Sequence, residues 1–155
     1  MHALCTIVAR NIHEIERCME YYQQDEAWDY AMVGGRYSNI VPVSKKCKTF
    51  HSGGGWPDLP GETFSYGDRL QANPDLKYTN VARIRNINHE ERFRIKRAGG
   101  LDVFEPYTMI LCHPDGGYEW LDLEQMDQAG LDRLSDWLIE PQRQSWFVAV
   151  VDYHY

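Results

Sequence analysis

Two unbroken apolar runs stand at the two ends of the chain, and they constrain its fold more than any other feature. Residues 3–9 read Ala-Leu-Cys-Thr-Ile-Val-Ala, and residues 146–151 read Trp-Phe-Val-Ala-Val-Val. Both are short and partly β-branched, and neither shows the alternation of a strand with one wet face. Strands of that kind are covered on both sides, so they belong at the centre of a sheet. The chain between them must supply the covering layers. With 155 residues it fits one domain, long enough to bury about two thirds of the surface it exposes when unfolded.

The elements between the two runs follow from local signals. Asn11 can cap a helix, with Glu14 three residues on and Ile12, Ile15, Met19 and Tyr22 at helical spacing, which predicts a helix over 12–23. Residues 28–33 alternate and end at Gly34-Gly35, a second strand closing on a turn. Residues 38–76 are rich in Gly, Pro, Ser, Asn and Asp and predict a long irregular insertion, with a short strand around Ile40–Val43. Val81, Ile84, Asn88 and Ile95 predict a basic amphipathic helix over 78–97, ended by Gly99-Gly100. Residues 107–112 and 118–121 flank His113-Pro114-Asp115-Gly116-Gly117 and predict a hairpin. Leu123 to Leu138 carries helical periodicity up to Pro141. The order β-α-β, insertion and helix, β-β-α-β predicts an α+β fold: a ferredoxin-like split β-α-β antiparallel sheet with an inserted loop and basic helix.

Charge is unevenly spread. Residues 77–97 hold seven basic residues against two acids, a net of +5, within a chain whose net charge is −7. Residues 101–140 hold ten acids and only Arg133, a net of −9. Such asymmetry points to charged partners, or to two faces that neutralise each other within the fold. No run approaches the roughly 18 apolar residues of a membrane span, and the N-terminus lacks a secretion signal. Cys5, Cys18, Cys47 and Cys112 match no zinc spacing, and the expectation is four reduced thiols in a cytosol. No metal and no cofactor is expected.

The motifs of P-loops, dinucleotide sites, nucleophile elbows and zinc proteases are all missing, and Gly53-Gly54-Gly55 leads into prolines rather than a helix. Candidate chemistry therefore lies at strand ends. Trp28 and Asp29 enter the second strand, and Gly34-Gly35 precede Arg36, whose guanidinium could meet an anion. These three are the candidate ligand-binding residues. His113 follows a strand, and Asp152 and His154 are two apart, so they share one strand face. These are the candidate catalytic residues; Asp152 and His154 could be a base with its orienter, or two metal ligands. The plainer alternative is a carboxylate and an imidazole that satisfy each other, or Arg36, at a sheet edge.

The run Trp28-Asp29-Tyr30-Ala31-Met32-Val33-Gly34-Gly35-Arg36-Tyr37 resembles a group of small phage-encoded proteins. So do the late turn Asp115-Gly116-Gly117-Tyr118-Glu119-Trp120 and the ending Asp152-Tyr153-His154. The resemblance implies a phage or prophage origin more than a mechanism.

Two function classes follow. The first is a small phage accessory protein that binds a host or defence protein in the cytoplasm, its acidic segment standing where phosphates would sit. The second is a small hydrolase or phosphate-ligand domain using Arg36, His113, Asp152 and His154. Nucleic-acid binding through residues 77–97 is a third, weaker expectation, and no membrane partner is expected. In a ferredoxin-like sheet Arg36 and Asp152 would lie at opposite ends, roughly 20 Å apart, and Arg36 would bond locally, to Asp29.

Overall fold

In the computed structural model, residues 2–35, 40–47, 73–88 and 108–155 are described. Strand β1 (His2–Ala9) leads into helix α1 (Ile12–Gln24) and strand β2 (Tyr30–Val33). A two-stranded ribbon follows, β3 (Val41–Ser44) against β4 (Leu76–Thr79), and then β5 (Val81–Arg83). The hairpin β6 (Thr108–Cys112) and β7 (Tyr118–Asp122), helix α2 (Gln128–Leu138) and strand β8 (Phe147–His154) complete it. The main sheet runs β2-β8-β1-β6-β7, with β5 also on β8. The two terminal apolar runs are the central pair, antiparallel from His2↔His154 to Ala9↔Phe147.

Capping and patterning place the helices. The Asn11 side chain accepts the Glu14 N–H at 2.9 Å, and Asp127 does the same for Gly130 at 2.7 Å. The capping box is half formed, because the Glu14 carboxylate turns to the Arg10 backbone N–H and guanidinium instead. That bond to Arg10 holds Glu14 below the usual carboxylate range. Helix α1 buries Ile15 and Cys18 on the face of Cys5, Ile7 and Ile110. Helix α2 buries Leu134 and Leu138 on the opposite face, with Leu4, Val8 and Val148. The sheet is thus covered on both sides, which is why β1 and β8 carry no polar alternation.

The protein is α+β, but the sheet order is not the ferredoxin-like one. Strands β1 and β2 are parallel with antiparallel β8 between them, a split β-α-β unit. Strand β6, however, lies parallel to β1. The second crossover then runs from β7 at the edge across to β8, in the same direction along the sheet as the first, but β7 and β8 both run opposite to β1 and β2. Right-handed crossovers of that kind place their helices on opposite faces, whereas a ferredoxin-like fold has both on one.

The expected basic helix over 78–97 is corrected where it is described. Residues 76–83 form β4 and β5, and Ile84–Asn86 is a single 3-10 turn. Val81, Ala82, Ile84 and Ile87 are all buried, because β5 fills the outer flank of β8 that the short β2 leaves open. Arg83 donates to the Ser145 carbonyl at 2.7 Å and lies over the Phe147 ring. Residues 89–97 lie outside the described residues.

Cys5 of β1 and Cys112 of β6 are buried together with Cys18 of α1, and all four cysteines are free. Burial pushes the Cys5 thiol well up, and the Asp152 carboxylate adds to it. The bond to Cys112 and burial push Cys18 up. Thr6 is fully buried, and its hydroxyl has no hydrogen-bond partner among the described residues. An unmet buried hydroxyl costs about 1–3 kcal/mol, and valine has nearly the same shape. Thr6→Val is therefore expected to raise stability by about 1 kcal/mol, read as a higher denaturant midpoint at unchanged slope. A lower midpoint would show that the hydroxyl is met.

Candidate functional site

The start of β1, the start of β2 and the end of β8 meet at one end of the sheet, because His2 and Tyr30 are both register partners of His154. Alternation along β8 puts Asp152 and His154 on one face, the face of Leu4 and Val150. The two do not bond each other as a base with its orienter. Asp152 is 1% exposed and binds His2, Nδ1 to Oδ1, at 2.8 Å. His154 binds the exposed Asp29, Nδ1 to Oδ1, at 2.6 Å. The two imidazoles lie edge to face with centroids 5.3 Å apart, and the Tyr30 ring packs on His2 at 5.7 Å. The site is therefore two carboxylate–imidazole pairs side by side.

Gly34 and Gly35 carry the chain over this site. Both have positive φ, +77° and +53°, and the Gly34 N–H donates to the Val150 carbonyl. A Cβ on Gly35 would stand 2.6 Å from both Cβ and Oδ2 of Asp152. Only glycine lets the backbone lie on that carboxylate. The expected separation of roughly 20 Å between the end of β2 and Asp152 does not hold for Gly35. Strand β2 has four residues, not six, and pairs only with the last part of β8, so it stops beside Val151 and Asp152. Arg36 itself lies outside the described residues.

The other candidates separate. Trp28 is 2% exposed and is stacked between Tyr22 and Tyr153 at 4.8 and 4.6 Å, a core ring rather than a ligand platform. His113 stands beyond the far end of β6, roughly 25 Å from His2 along the strands, and binds Glu119 at 2.8 Å. It does not join Asp152 and His154. His2 was not singled out from the sequence. Antiparallel pairing of the two terminal runs brings the start of the chain near its end, but which side chain His2 meets depends on the register.

Among the described residues no group of three or more His, Cys, Asp or Glu side chains is arranged to hold a metal ion, and no helix is long and apolar enough to cross a membrane. No protein-family model matches the chain, and comparison with curated proteins and with solved structures finds no significant similarity.

Proposed function

We propose that the protein is a small hydrolase in which His2 and His154 move protons on a phosphorylated or nucleotide-like substrate. One observation carries this: two imidazoles 5.3 Å apart, each held through Nδ1 by its own carboxylate. A carboxylate on Nδ1 fixes the tautomer and leaves proton exchange to Nε2. Two such rings supply both halves of a hydrolysis, a base for the attacking water and an acid for the leaving oxygen. Asp152 and Asp29 act as positioning residues. Arg36 follows Gly35 directly, and its role as the anion contact is an expectation from the sequence.

The test is hydrolysis of p-nitrophenyl phosphate, bis-p-nitrophenyl phosphate and a cyclic nucleotide across pH. A bell-shaped profile is expected, and His2→Ala and His154→Ala should each lower kcat by about 100-fold or more. No turnover on any of the three substrates, or turnover equal in both variants, would overturn the proposal.

A second reading has its own support in the surface. Asp115, Glu119, Asp122, Glu124, Asp127, Asp132 and Asp136 are all exposed, while Arg133 is the one exposed base among residues 115–136. That surface fits an accessory protein of phage origin which binds a host or defence protein in the host cytoplasm. Its test is charge reversal of this face, which should weaken binding to a basic partner and leave hydrolysis unchanged.

A further inference from the structure

We propose that the β7 edge accepts an extended basic polypeptide segment as an added strand. The proposal rests on the second, binding reading, and it names the place and chemistry of the partner. Strand β7 closes the sheet order, and among the described residues its strand partner is β6 alone. An uncovered edge strand is a template for another chain.

The two sides of this edge differ. On the α1 side Trp120 is 42% exposed, with its ring held against Tyr22 at 5.3 Å and Trp28 at 6.1 Å. On the α2 side a groove of about 230 Å³ opens between β7 and α2, floored by Leu111, Leu121, Met126, Leu134 and Trp137 and lined also by Glu119 and Arg133, which carry opposite charges. A strand laid on β7 would turn alternate side chains to these two sides. Apolar residues suit the groove, and lysine or arginine suits the Trp120 face, where Asp122 also stands.

Charge selects the occupant. Glu119 and Asp122 lie on the strand itself, with Asp115 at its turn and Glu124 just beyond. A second copy of this chain would bring these carboxylates against one another, and like charges across a strand pair are unfavourable. A nucleic acid would meet the same repulsion. A segment that alternates apolar and basic residues would not.

The experiment uses the full chain and three short synthetic peptides: alternating leucine and lysine, alternating leucine and glutamate, and the first composition scrambled. Binding is followed by Trp fluorescence and by amide exchange. The leucine–lysine peptide is expected to bind, to slow exchange across Tyr118–Asp122, and to weaken with salt, while the other two bind less well. Asp122→Asn, which removes the carboxylate charge on the Trp120 face and keeps a side-chain acceptor for the Glu124 N–H, is expected to weaken it several-fold. Trp120→Ala should do likewise without loss of folding. Protection on α2 rather than β7 would overturn the edge site and leave the acidic-surface reading standing. Failure of the leucine–lysine peptide to bind would overturn the edge proposal. If charge reversal of the acidic face then also left binding to a basic partner unchanged, the acidic-surface reading would fall separately.

Discussion

Trp28→Ala is expected to destabilise the protein by about 3–5 kcal/mol, the range for deleting a large buried aromatic side chain. The residue joins three parts of the fold. Its N–H donates to the Tyr22 carbonyl at the end of α1, and its ring is stacked between Tyr22 and Tyr153 of β8. Truncation would leave a cavity between α1 and the sheet and remove two ring stacks, each worth up to about 1 kcal/mol beyond burial. Asp29, the next residue, donates its N–H to the His154 carbonyl, so the loss should reach the paired histidines too. Equilibrium denaturation measures the effect, with Trp28→Phe losing less because one ring stays in the stack. A cost under about 1 kcal/mol for Trp28→Ala would return the residue to the surface role that its place before β2 suggested.

The second large effect falls at Gly35. Alanine there must adopt a left-handed backbone, at about 1–2 kcal/mol. Its Cβ must also displace Asp152, a fully buried carboxylate, and overpacking of that kind costs about 1–3 kcal/mol. Together Gly35→Ala is expected to cost roughly 2–5 kcal/mol. Gly116→Ala is the control. Gly116 also has positive φ, +96°, but a Cβ there meets nothing within 4 Å. It should show the conformational cost alone. Equal losses in the two variants would mean that the contact with Asp152 carries no energy. The Gly35 variant should also disturb the His2–Asp152 bond, visible as a changed Nδ1 proton resonance of His2, whereas Gly116→Ala should leave it in place.

These effects separate what can be read along a chain from what cannot. Residues 3–9 and 146–151 were legible as central strands because a run covered on both faces has no polar alternation. Helix α1 was legible from Asn11 and the spacing of Ile12, Ile15 and Met19. The hairpin was legible from Asp115, Gly116 and Gly117, where the Asp115 side chain accepts the Gly117 N–H. All are short-range signals. The reading of a helix failed over 78–88, because spaced apolar residues also suit a short strand and turn whose burial is decided by β8, some 65 residues away.

The site shows the same division. Local sequence marked Asp29, Asp152 and His154 and set the last two on one strand face. It also marked Gly34-Gly35 as a backbone that could approach something closely. By themselves these residues permit an Asp152–His154 pair or a catalytic group with His113. Tertiary register decided otherwise: it brought His2 to Asp152 across 150 positions and Asp29 to His154 across 125. The physical reason is that alternation assigns a face but not a neighbour. A neighbour depends on strand order, crossover hand and register, which are set by how two layers pack on both sides of the sheet.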